Sequence, residues 1–120
     1  YVVPMLVHII AQPNLTPGEG PVGLILVPHR ELCNQVEKEI QLFSKHVGFN
    51  VAAIYGGDDE LKQKAALAER CDIVIATPGR LIGMLNDKVT NLRRATFLVL
   101  DEADEMLRTS GFESQVRLIL

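Results

Sequence analysis

A chain of 120 residues with 48% apolar and 22% charged side chains is ordinary globular material, enough for one small domain or a piece of a larger one, and this excludes a disordered tail. A net charge of −3 argues against a strongly basic nucleic-acid module, although backbone N–H groups and helix N-termini can grip phosphates without any net charge. No apolar run approaches the roughly 18 to 20 residues of a membrane span.

The opening YVVPMLVHII is apolar but short, holds Pro4 and His8, and lacks a basic flank and a small-residue cleavage site. It reads as the inside of a helix and not as a signal peptide. PNLTPGEGPVG, residues 13–23, carries three prolines and three glycines and reads as a surface loop. VGLILV, residues 22–27, is a continuous apolar run suited to a strand covered on both faces. Pro28 stops it, and Leu32, Val36, Ile40 and Phe43 then recur on one face of a helix that should end at Gly48. NVAAIY, residues 50–55, is the next strand, closed by Gly56-Gly57. DDELKQKAALAER follows with acids in its first turn, Asp58-Asp59 acting as an N-terminal cap, and with Leu61, Ala65 and Ala68 sharing a face. DIVIA, residues 72–76, is a third strand ended by Thr77-Pro78-Gly79. A short helix starts at about Leu81, NLRRA connects, FLVL at 97–100 is a fourth strand, and FESQVRLIL again has helical spacing. Cys33 and Cys71 match no metal or redox spacing, so a reducing compartment and core positions are expected for both.

Alternating strand and helix patterns imply an α/β fold, a parallel sheet flanked by helices on both faces. Ligands of such sheets bind outside the carboxyl ends of the strands. Four marked segments fall there: Pro28 to Glu31, Gly56-Gly57, Thr77 to Arg80, and Asp101 to Asp104. An apolar strand that delivers the chain into Asp-Glu-Ala-Asp has the form of the second nucleotide motif of P-loop ATPases. Asp101 can hold Mg²⁺ directly or through a water, and Glu102 can orient or deprotonate an attacking water. Asp104 can anchor the loop. The plain alternative is a solvated acidic cap on the next helix. Thr77, Gly79 and Arg80 offer a hydroxyl, close backbone approach and a guanidinium, and Arg30 sits beside the first amides of a helix; all suit a phosphate backbone. Taken singly, these are ordinary turns, with Thr77 as a cap and Arg30 and Arg80 solvated.

LILVPHRELCNQ, GG, IVIATPGRLIGML and LVLDEADEML, in this order, resemble the first RecA-like domain (a P-loop NTPase fold) of a DEAD-box RNA helicase, and the likeness runs along nearly the whole chain. The resemblance implies that Asp101 and Glu102 serve Mg²⁺-ATP and the hydrolytic water. It implies that Asp104 links the ATP site to RNA and to a second RecA-like domain. Pro28, Arg30, Glu31, Gly57, Thr77, Gly79 and Arg80 would line an RNA backbone path, largely without reading sequence. Partners beyond RNA and the second domain would be RNP proteins, in nucleus or cytoplasm. The family usually has Thr where His29 stands, Ala where Cys33 stands, and one residue fewer near Arg108-Thr109-Ser110. No G-x-x-x-x-G-K-[ST] loop occurs in these residues. The chain therefore resembles an internal part of helicase domain 1, with that loop upstream and the Ser-Ala-Thr motif and second domain downstream, and is expected not to hydrolyse ATP by itself. Two other readings are a helicase-superfamily motor on DNA and a non-catalytic RNA- or protein-binding module of helicase shape.

Overall fold

The structure, a computed structural model, describes residues 2–11, 20–57, 60–69, 71–102 and 104. The expectations for Asp58-Asp59, most of the proline- and glycine-rich loop, the Arg108-Thr109-Ser110 insertion and the FESQVRLIL tail lie outside those residues. The elements in chain order are α1 (Val2–Ile10), β1 (Gly23–Leu26), α2 (Arg30–Val47), β2 (Val51–Ile54), α3 (Glu60–Ala68), β3 (Ile73–Ala76), α4 (Pro78–Asn86) and β4 (Phe97–Leu100). The opening segment is helical as expected, and Pro4 lies in its first turn, where a missing N–H leaves no bond unmade. Gly48 follows α2 with φ +76, the left-handed conformation that ends a helix readily only with glycine.

The four strands are all parallel in the order β2-β3-β1-β4. Period-two alternation sends their side chains to two separate cores. Ile25, Ile73 and Ile75 pack under Met5 and Leu6 of α1 and Cys33, Val36 and Ile40 of α2. Leu24, Leu26, Ala52, Ile54, Val74 and Ala76 pack under Leu67 of α3 and Leu81 and Met84 of α4. Every residue of β1 and β3 is buried, which is why both read as unbroken apolar runs. Burial of each such Ile or Leu contributes about 1.5–3 kcal/mol, and this anchors the strand ends. β4 is different: Leu98 and Leu100 are 43% and 38% exposed on the α3–α4 side. At its other end α1 is tied to the start of β4, with His8 Nε2 2.6 Å from Thr96 Oγ1 and the His8 ring against Phe97. No helix among the described residues is long and apolar enough to cross a membrane.

Both cysteines are free and buried, as expected. Cys33 Sγ donates to the Ile75 carbonyl at 3.4 Å and Cys71 Sγ to that of Ile73 at 3.1 Å. Burial above all pushes both thiols up to about 12, and the neighbouring carboxylates Glu37 and Asp72 add to it.

Three local expectations need correction. On α3 the buried residues are Gln63 and Leu67, while Leu61, Ala65 and Ala68 face solvent. The apolar count misled because Gln63 is drawn inward by a bond from its Nε2 to the Tyr55 carbonyl, 3.1 Å long. On α2, Phe43 is 41% exposed although Val36 and Ile40 are buried, since the face they share has turned past the sheet by the last turns. And α4 begins at Pro78, not near Leu81, because proline's fixed φ suits the first helical position.

Candidate functional site

The register sets the site. Ile54 pairs with Ala76, Ala76 with Leu26, and Leu26 with Leu100, so all four strands stop on one rung. Three backbone bonds then tie each outgoing segment to its neighbour: Thr77 N–H to the Ile54 carbonyl, Val27 N–H to that of Ala76, and Asp101 N–H to that of Leu26, at 3.0–3.1 Å. Gly56-Gly57, Thr77–Arg80, Pro28–Glu31 and Asp101–Asp104 consequently stand side by side, in that order, along one edge of the sheet.

The β1 end leads into α2. Pro28 is buried and His29 is exposed. His29 Nδ1 accepts the Leu32 N–H at 3.2 Å, and the His29 carbonyl accepts the Cys33 N–H. The ring therefore performs the capping that a hydroxyl would. Arg30 opens α2 with its guanidinium over the Tyr55 ring, 5.3 Å from the centroid. No ion pair to Arg30 occurs among the described residues. Gly57 passes beside it at φ +84, and a Cβ there would lie 4.0 Å from Arg30 Nη1. Glu31 is exposed in the first turn of α2, where its charge suits the helix N-terminus.

The β3 end is held differently. Thr77 is the extended N-cap of α4, as in the plain alternative of an ordinary turn, yet its hydroxyl makes no capping bond. Pro78 is buried and Gly79 exposed. Arg80 is not a solvated side chain either: it is 18% exposed, with Nη1 3.9 Å from Glu60 Oε2. Glu60 also accepts Lys64 at 3.4 Å, and Lys64 reaches Asp87 at 3.5 Å. The bond to Glu60 is the first cause holding the Lys64 ammonium above its ordinary value.

At the β4 end, Asp101 is half-buried and Glu102 and Asp104 are exposed. Glu102 takes φ +52, a left-handed backbone that costs a non-glycine residue about 1–2 kcal/mol. The acids do not converge into a metal cluster: among the described residues no group of three or more His, Cys, Asp or Glu could hold an ion. One half-buried, backbone-anchored carboxylate is nevertheless what Mg²⁺ needs, since that ion keeps several waters and takes one or two protein oxygens beside substrate phosphates.

Sequence reasoning named the strand ends but missed Tyr55, Glu60 and Gln63. Tyr55 stands immediately before Gly56-Gly57, and Gln63 lies four residues before the buried Leu67, which were the signals available. Neither Tyr55 nor Glu60 is chemically marked without knowledge of which arginine it meets.

Parallel strands with covered faces, carrying basic and glycine segments on three ends and Asp-Glu on the fourth, define a RecA-like helicase sheet. The whole chain, residues 1–120, matches the DEAD/DEAH box helicase family, and it belongs to that family. It is 49% identical to DEAD-box ATP-dependent RNA helicase 42 of Oryza sativa subsp. japonica and 51% identical to DEAD-box ATP-dependent RNA helicase 24 of Arabidopsis thaliana, covered over 100% of its own length in both. It spans only 12% and 16% of the length of those relatives. The crystal structure of the yeast DEAD-box splicing factor Prp28 matches 99% of this chain with a TM-score of 0.91 at 39% identity, over 28% of that protein's chain. The RNA helicase Prp28 from Chaetomium thermophilum bound to ADP matches 99% of the chain with a TM-score of 0.87 at 37% identity, over 29% of that chain.

Proposed function

We propose that these residues are the internal part of the first RecA-like domain of an ATP-dependent RNA helicase, carrying its RNA path and the carboxylate edge of its ATP site. The observation that carries this reading is the common rung on which all strands end, with the arginine- and glycine-bearing segments adjacent and Asp101-Glu102 at the far side. Arg30, Arg80 and the amides of Gly57, Gly79 and the α2 N-terminus can meet phosphates, and the uncommitted Thr77 hydroxyl can meet a phosphate or sugar oxygen. Pro28 shapes the turn. Glu31 is an acceptor only, so it meets RNA through a 2′-hydroxyl or through its backbone N–H. A path of this kind reads backbone and shape and very little sequence.

Asp101 would hold the Mg²⁺ of bound ATP, through water, where the ion would offset phosphate charge. Glu102 would accept a hydrogen bond from the attacking water and take its proton as the water oxygen bonds to the γ-phosphorus and the bond from that phosphorus to the oxygen of departing ADP breaks. Asp104 joins this edge to the RNA path and the second domain. ATP binding would close two domains on RNA and bend one strand, separating a short duplex or remodelling an RNP; hydrolysis and product release would reopen them. Residues 1–120 alone would not hydrolyse ATP, because no phosphate-cradling G-x-x-x-x-G-K-[ST] loop lies among them.

The test is Glu102→Gln in the full-length protein. RNA-stimulated ATP turnover should fall by about 10²–10⁴-fold, the range expected for loss of a general base, with ATP and RNA affinity unchanged. A wild-type protein that binds RNA with no RNA-stimulated turnover would instead be a non-catalytic module.

A further inference from the structure

We infer that Tyr55 is a positioning residue for RNA binding: its ring supports the Arg30 guanidinium without answering its charge, so that the guanidinium is held at the strand end with its N–H donors left for an incoming phosphate. This rests on the RNA-path reading above and adds a residue that carries no charge and touches no RNA. The guanidinium carbon lies 5.3 Å from the ring centroid, within the roughly 6 Å reach of a cation–π contact. A guanidinium resting on a neutral ring keeps its donors and its full charge available, whereas a carboxylate partner would occupy both.

Two features keep the ring in place, and two hold Arg30 beside it. Tyr55 is only 8% exposed and packs into the core beneath α2. Its carbonyl accepts Gln63 Nε2 at 3.1 Å, and Gln63 is itself 4% exposed, so the end of β2 is pinned from the α3 side. Gly57 passes on the other side at φ +84, a backbone that favours glycine, and a Cβ there would come into van der Waals contact with Nη1 at 4.0 Å. The His29 cap fixes the helix turn from which Arg30 projects. Arg30 therefore meets RNA with part of its rotamer freedom already given up, which raises affinity without a new contact.

The test measures the affinity of the full-length protein for a short single-stranded RNA. Tyr55→Phe keeps the ring and should bind as wild type. Tyr55→Leu should bind roughly 3- to 5-fold more weakly, because the ordering of the Arg30 side chain then falls on the binding step. In an Arg30→Ala background Tyr55→Leu should cost nothing further. A series of isosteric fluorinated phenylalanines at position 55 avoids any packing defect and should weaken binding stepwise as fluorine withdraws the ring's negative face. Flat affinity across that series, or losses from Tyr55→Leu and Arg30→Ala that add, overturns the inference and leaves the RNA path intact. Wild-type affinity in Arg30→Ala alone overturns the RNA path at this residue, and the inference with it.

Discussion

Arg30 and Arg80 leave neighbouring strand ends at the same level of the sheet, yet one rests on an aromatic ring and the other beside a carboxylate. The difference is chemical. A ring supports a cation without answering its charge, so Arg30 meets an anion with nothing to release. Glu60 partly answers the charge of Arg80, and a phosphate arriving there must displace a partner that then turns to Lys64 or to solvent. Two residues of one type at equivalent positions should thus respond oppositely when their supports are removed: loss of the ring weakens binding, loss of the carboxylate strengthens it.

The largest effect that sharpens this contrast is expected at His29, which caps the helix carrying Arg30. His29→Ala should lower unfolding free energy by about 1 kcal/mol, read from the denaturation midpoint, while His29→Asn should keep most of the stability because asparagine caps as well. Equal losses in both variants would mean that the Nδ1 bond to Leu32 contributes little. Next comes Glu60→Gln, which frees Arg80 and should raise RNA affinity by about twofold at low salt, with the gain vanishing as salt screens the exposed pair. Weaker binding in that variant would mean that Glu60 aims Arg80 instead of competing for it. The smallest effect is expected at Glu37 on α2, whose carboxyl is raised above its ordinary value by burial alone. A raised carboxyl favours the folded state when protonated, so that stability is fully present below the ordinary glutamate range and is lost as pH rises through the folded value. Glu37→Gln should therefore raise the thermal midpoint slightly at neutral pH and lose that advantage in acid. Glu37 lines a cavity with Tyr55 and Gln63, so a change in RNA affinity beside that stability gain would report movement of the ring beneath Arg30.

Much of this was legible in the sequence, for physical reasons. Strands buried on both faces must be apolar throughout, so GLIL and IVIA declare themselves, and a parallel sheet places their ends on one edge. The chemically marked residues had to lie there. What remained hidden depended on partners distant in sequence. Gln63 looks solvent-facing until the Tyr55 carbonyl is beside it, and Leu61 looks buried until Gln63 takes its place. His29 reads as a departure from its family's usual threonine, but ring geometry lets Nδ1 do the same capping. The assignments to Asp101, Glu102 and Asp104 came from the residues' order after FLVL; the left-handed backbone of Glu102 could not be read from residue type, because glutamate seldom adopts it.

The most direct test of the central claim is the salt dependence of RNA affinity for the wild type, Arg30→Ala and Arg80→Ala in the full-length protein. Each phosphate neutralised on a single strand contributes about 0.7 to the slope of log affinity against log salt. Arg30→Ala should lower the slope by about that amount. Arg80→Ala should lower it by clearly less, because Glu60, released when Arg80 takes a phosphate, gathers a counterion in return. An unchanged slope for Arg30→Ala, or equal reductions for both, would contradict the account.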